Sequence, residues 1–312
     1  MLVQNKFVNF KNVKLITIEN EKGLKVTLCS FGASIKSIYV DEDLLTCQND
    51  DLKKFMNSFT YNGKTVGRTC GRIKDGKFTI KDNEYHLRKF GKNALHGGIK
   101  SFSFRNFKYD LYEDDEAYTV TFFRNSKDGE EGYPGLLKVS IAYTIYKKEN
   151  KIDIDVLGSS NKDTIVNITN HTYWSLGETN ISNDKLMVDA KKYIDVDQEL
   201  LFKSIEDVDE RFDFRSSHSL SDYFEEVEKT FTQGYDTDYL LDKNNEYDAI
   251  LEGEKYSLKV ITTYPVLHVY LIRPFTGIAF ECEKKAFDVP SLVLEKDQIY
   301  EEKITYVIER RK

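Results

Sequence analysis

Apolar and polar residues alternate with a period of two in segment after segment of this 312-residue chain. KLITIEN (14–20), LKVTLCSF (24–31), IKSIYV (35–40), YTVTFF (118–123), LLKVSIAYTIY (136–146), KIDIDVLG (151–158), YSLKVITTY (256–264) and LHVYLI (267–272) all carry the pattern. Successive side chains of an extended strand point to opposite faces, so such segments bury one face and wet the other. Roughly eighteen segments meet these strand criteria, joined by short polar turns. Helical spacing is confined to NDDLKKFMNSF (49–59) and a turn or two within 217–229. No long linker, low-complexity tract or fixed-period repeat divides the chain. The pattern predicts an all-β protein: one domain over residues 1–312, built of large antiparallel sheets packed face to face as a sandwich. Periodicity by itself fits a barrel equally well.

The formal net charge is −7, and no Lys/Arg block stands clear of acidic neighbours. Phosphate neutralisation needs a basic surface, so neither nucleic acid nor an anionic membrane is an expected partner. The four cysteines, Cys29, Cys47, Cys70 and Cys282, form no CxxC pair and read as free thiols of a reducing compartment. The opening MLVQNKFVNFKN lacks the apolar centre of a secretory leader. No run of about 18 apolar residues occurs. A cytoplasmic protein is the expectation.

Residues able to carry chemistry are few. His96 lies in NALHGGIKSF, where Gly97 and Gly98 permit positive φ and a tight loop. It is either an incidental turn residue or an imidazole carried into a site. The stretch IVNITNHTYWSL (165–176) reads as one strand with His171 in its middle, a hydrogen-bonded core histidine or a proton-transfer group. His268 alternates with Leu267 and Val269, the pattern of a half-buried, satisfied histidine. Glu281 follows the apolar run Ile278, Ala279, Phe280 directly, as edge decoration or as a placed base, and Glu283 shares its face if the strand continues. Asp236 and Asp238 in GYDTDYLL are turn formers ahead of a strand or polar groups of a pocket. GRTCGRI (67–73) holds Arg68 and Arg72 without the elements of a phosphate loop. HExxH, GxSxG and a dinucleotide fingerprint are all absent, and no two histidines have i, i+2 or i, i+4 spacing for zinc. What remains is general acid–base chemistry by a histidine and a carboxylate on a β scaffold.

Six segments, in order, resemble the aldose 1-epimerase (galactose mutarotase) family: VGRTCGRIKDGKFTI, YHLRKFGKNALHGG, SKDGEEGYPGLLKVSIAYTI, VNITNHTYWSLGE, GYDTDYLL and IAFECEKKAFDVPSLVLEKDQIYEEKITYVI. VTLCSFGASIKSIYV resembles the family's opening strands. The resemblance implies a single large antiparallel sandwich, the galactose mutarotase-like supersandwich. It implies an isomerase that interconverts the α and β anomers of free hexoses such as galactose and glucose, with no metal and no redox cofactor. The partner implied is a small aldose, bound by a monomer or homodimer. The general acid falls on His171 and the general base on Glu281. Arg72, His96 and Asp236 match positions that hold sugar hydroxyls, with Tyr173 beside them. His268 stands in the PxxQxY strand, where the family carries Gln. Gly71, Trp174–Ser175 and Glu283 also depart from the family pattern. Trp174 reads as core packing or as a platform for the sugar's apolar face.

As opposite charges, Glu281 and His171 are expected to raise the imidazole pKa and lower the carboxyl one. Three other readings share these residues. One is a carbohydrate-binding protein without catalysis. Another is a relative acting on a phosphorylated sugar, with Arg68, Arg72, Lys92 or Arg273 as the cationic clamp. The third is a lyase or hydrolase using two carboxylates.

Overall fold

The computed structural model describes residues 4–7, 12–47 and 51–311. Of the opening MLVQNKFVNFKN, only 4–7 and Asn12 fall within it, and residues 49 and 50 of the expected first helix lie outside it. Among the described residues every strand ladder is antiparallel. A nine-stranded sheet runs from Lys108–Glu113 through Ala117–Ser126, Leu137–Tyr146, Lys151–Ser160, Ile299–Arg310, Tyr256–Thr262, Ala249–Glu252 and Lys185–Val188 to His218–Ser219. A six-stranded sheet is ordered Tyr173–Trp174, Ile278–Glu283, Val266–Ile272, Gly234–Leu240, Lys192–Val196, Phe202–Asp207. A five-stranded sheet is formed by the first five strands in sequence order, from Gln4–Phe7 to Asp43–Leu44.

The two-residue period does what the sequence predicts. In Leu137–Tyr146 the buried residues are Leu137, Val139, Ile141, Tyr143 and Ile145, with partly or fully exposed side chains between them. One apolar cluster draws Val26 and Ile38 from the five-stranded sheet, Ile141 and Ile154 from the nine-stranded sheet, and Val269 and Phe280 from the six-stranded sheet. Burying such side chains contributes about 1.5–3 kcal/mol each, which is what holds the sheets face to face. Trp174 belongs to this core. It is fully buried and meets the Tyr306 ring edge-on at 4.9 Å, joining the six- and nine-stranded sheets. Helices are short: Leu52–Asn57, capped by the Asp51 carboxylate on the N–H groups of Lys53 and Lys54, Phe224–Glu228 and the single turn Val289–Leu292. No helix among the described residues is long and apolar enough to cross a membrane.

Three local expectations change. IVNITNHTYWSL is not one strand but three two-residue ladders on three different partners. Thr164–Ile165 pairs with Val293–Leu294, Thr169–Asn170 with Thr65–Val66, and Tyr173–Trp174 with Ile278 and Ala279. The segment passes between sheets and changes partner every few residues, so its β-formers are satisfied piecemeal and His171 falls in a gap. The strand of Glu281 runs on to Glu283, and all six of its residues are buried. Asp236 and Asp238 lie inside the strand Gly234–Leu240 rather than in a turn ahead of it.

Candidate active site

One rung of the six-stranded sheet concentrates charge. Ile194, Asp238, His268 and Glu281 are direct neighbours across four adjacent strands. The rung two residues along holds Asp236, Tyr270, Ala279 and Tyr173. A period of two puts both rungs on one face. They floor a cleft of about 550 Å³.

His171 enters from the adjoining irregular segment, and its backbone is pinned on both sides. Its N–H donates to Lys64 O at 3.0 Å and its carbonyl accepts from the Gly63 N–H at 2.7 Å. Asn170 fixes the turn before it. The Asn170 side-chain amide donates to Gly63 O at 3.1 Å, and its oxygen accepts from the Thr172 hydroxyl at 2.6 Å. The imidazole is flanked by two near-parallel rings, Tyr173 at 5.0 Å and Tyr61 at 6.0 Å. So held, His171 Nε2 lies 3.1 Å from Glu281 Oε1, with both side chains buried.

His96 comes from a tight loop whose backbone is left-handed at His96 (φ +48°), Gly97 (+82°) and Gly98 (+101°). A Cβ on Gly97 would sit 1.9 Å from Gly67 O, so only glycine fits there. The His96 ring meets Tyr61 at 4.7 Å and His171 at 5.8 Å, edge-on to both. Arg72 pairs with Leu95 in the adjoining short ladder and lines the cleft. His171, Glu281, Arg72, His96, Tyr173, Asp236 and His268 therefore all border the same cavity, as do Asp238 and Glu283.

Burial dominates the electrostatics. It pushes Glu281 up to about 7 against the opposing charge of His268, with Asp236 and Asp238 adding to the rise. It drives His171 down to about 3, helped by the charge of His268. It holds His96 well below the ordinary histidine range, with His171 and Arg72 contributing. The mutual stabilisation expected for an ion pair is reversed. Below about pH 7 the His171–Glu281 contact is a hydrogen bond between a carboxyl and a neutral imidazole, because desolvation outweighs their attraction. His268 behaves oppositely. Burial works against its charge, yet the Asp238 hydrogen bond and the carboxylates of Asp238, Glu281 and Asp236 raise it to about 10. Glu283 is pushed well above its usual range by burial and the nearby Asp238.

His96, His171 and Glu281 bring donor atoms within 4.8 Å of one another. Of the possible phosphate clamp, only Arg72 reaches the cleft. Arg68 is buried, donating to carbonyls of Ser126, Lys127, Pro134 and Gly135. Lys92 is paired with Glu199 at 2.6 Å and Arg273 with Glu228 at 2.6 Å. Lys74 and Lys77 also border the cleft.

The sequence does not reveal Tyr61, which comes from an irregular turn at φ +57°. Nor does it reveal the apolar wall of Phe59, Val196, Leu201, Phe202 and Phe287, where Phe202 and Phe287 stack at 4.2 Å. Tyr270 could have been found, since it lies two residues from His268 on the same strand.

The aldose 1-epimerase family model matches residues 14–299. The aldose 1-epimerase of Haemophilus influenzae is 31% identical over 303 residues, covering 86% of this chain and 86% of that protein. The galactose mutarotase of Bos taurus is 31% identical over 264 residues, covering 79% of this chain and 74% of that protein. The crystal structure of a galactose 1-epimerase from Lactobacillus acidophilus NCFM superposes with a TM-score of 0.92 at 25% identity, covering 100% of both chains. With an all-antiparallel sandwich, a buried His–Glu contact in its cleft and relatives along nearly its whole length, this chain belongs to the aldose 1-epimerase family.

Proposed function

We propose that this protein interconverts the α and β anomers of free hexoses such as galactose and glucose, with Glu281 and His171 as its proton-transfer pair. The observation that carries the reading is their 3.1 Å contact, made by two buried side chains from distant parts of the chain.

Opening a hemiacetal removes the proton of the anomeric hydroxyl and adds one to the ring oxygen. Closure after rotation about C1–C2 reverses both transfers. The two oxygens share one carbon, so the two catalytic groups must converge, and the contact distance meets that need. The pair works with one proton between its members. With carboxylate and imidazolium, Glu281 takes the anomeric proton while His171 gives one to the ring oxygen. With carboxyl and neutral imidazole, closure runs the same steps backwards. Each anomer formed returns the pair to its starting state. Each positioned transfer is worth roughly 10²–10⁴ in rate.

The other cleft residues orient the sugar. Arg72 and Asp236 offer charge-assisted hydrogen bonds to ring hydroxyls. His96, kept neutral by burial, can donate through one nitrogen and accept through the other. Tyr173 and Tyr61 hold the His171 ring by stacking. The four unpaired cysteines favour a reducing, cytoplasmic setting.

Polarimetry tests the reading. Added to freshly dissolved α-D-galactose or α-D-glucose, the protein should bring optical rotation to equilibrium faster than buffer, and EDTA should leave the rate unchanged. No acceleration on any free aldose, with sugar binding retained, would make it a binding protein. A salt-sensitive preference for hexose 6-phosphate would point to Lys74 and Lys77 gripping a phosphate.

A further inference from the structure

Within the charged rung, His268 stands between two acidic strands. Its Nδ1 lies 2.6 Å from Asp238 Oδ1, and its Nε2 faces Asp236 Oδ1 at 3.5 Å. On the other side it is the direct cross-strand neighbour of Glu281. Side chains so placed have Cβ atoms about 4.5–5.5 Å apart. With both nitrogens turned to carboxylates, the ring is an imidazolium, which has two donors and no acceptor. It cannot accept a proton from a sugar, and its partners hold its own proton too firmly to release it. Its contribution is therefore a fixed charge.

We propose that Asp238 and His268 form a built-in ion pair whose positive end, set beside Glu281, limits that carboxyl's affinity for protons and so keeps it usable as a base. The proposal rests on the epimerase reading of the cleft. The need for such a charge is visible in the surroundings. On the sheet, Glu281 faces Asp236, Asp238 and, on its own strand, Glu283, with Tyr173 beside them. From the other walls come His171, His96, Tyr61 and Arg72. Cys70 lies next to Glu283. Of these, Arg72 is the other cation, since both remaining histidines are kept neutral by burial. Without the imidazolium, Glu281 would face Asp236, Asp238 and Glu283 with Arg72 as the cation among its neighbours, Lys74 and Lys77 being further cations of the cleft lining. Like charges at that range disfavour ionisation of each. Asp238 acts one step removed. It holds His268 charged and oriented through their 2.6 Å contact, and lies one strand further from Glu281 than His268 does.

The test is the pH dependence of three variants, His268→Gln, Asp238→Asn and the double variant, each checked for native circular dichroism. Removing a positive charge raises the proton affinity of the His171–Glu281 pair. The alkaline limb of kcat/KM should therefore move to higher pH by about one unit in His268→Gln. Asp238→Asn should move it by less, because losing the His268 charge is offset by losing the Asp238 carboxylate, which itself raises Glu281. The double variant should match Asp238→Asn and shift no further than His268→Gln alone, since it too removes both members of the ion pair. Loss of rate at all pH values with an unmoved limb, or a shift to lower pH, would overturn the proposal. Carboxyl ¹³C NMR of Glu281 in the sugar-free protein gives a second readout. An upward shift of its titration in a protein without activity on sugars would refute the epimerase reading and leave the charge relationship standing. An unshifted titration would refute the latter alone.

Discussion

Glu281 and His171 are each displaced from their ordinary protonation by the same cause, desolvation, and in opposite directions. The consequence is a pair that holds one proton over a wide range. Glu281, raised to about 7, keeps its proton below that value and loses it above. The kcat/KM profile, which reports the free enzyme, should fall as pH rises through about 7. The acid limb follows His171 and lies far below the usual histidine range. An acid limb near the ordinary value of about 6.5 would mean that His171 is charged in the sugar-free protein. Arg72 makes a different prediction. A charged hydrogen bond is worth about 1.5–3 kcal/mol. Arg72→Ala should therefore raise KM by roughly 10- to 100-fold with a smaller effect on kcat. Equal KM values for the variant and wild type would remove Arg72 from the sugar site. Trp174, buried against Tyr306 and absent from the cleft lining, should give fluorescence that is indifferent to sugar.

At the scale of elements, the cleft is built from regular strands on one side and irregular chain on the other, and the two were not equally legible. GYDTDYLL, PVLHVY and IAFECE lie in strands, so the alignment of Asp236 with Asp238, of His268 with Tyr270 and of Glu281 with Glu283 follows from their spacing of two once the strands are recognised. Which strands lie side by side does not follow, because cross-strand neighbours are set by long-range pairing. The 165–176 stretch misleads for a related reason. Its β-formers are real, but three partners share them, and local propensity carries no information about partner changes. The His96 loop is legible in its glycines and opaque in its direction. Gly97→Ala would drive a Cβ into Gly67 O at a left-handed φ. Backbone strain of this kind costs about 1–3 kcal/mol. The variant should lose that much in a urea melt and lose sugar affinity along with it. A variant of wild-type stability would show that the loop yields without cost.

For the whole molecule, one apolar cluster spans all three large sheets, which predicts a single cooperative unit. Trp174 fluorescence and far-ultraviolet circular dichroism should report superimposable unfolding curves, whereas two separated transitions would divide the chain into domains. The same cluster explains how residues so far apart in sequence come to share a proton. The sheets fix the carboxylate, the crossing segment fixes the imidazole, and their meeting is a property of the fold. The most direct test of that claim is the mutarotation rate of Glu281→Gln, His171→Asn and the double variant, all shown to be folded. Each single change should reduce the rate by at least about 10², and the double variant should be no slower than the slower single one, because the two groups act as a unit. A single variant that equilibrates α-D-galactose at the wild-type rate would contradict the account.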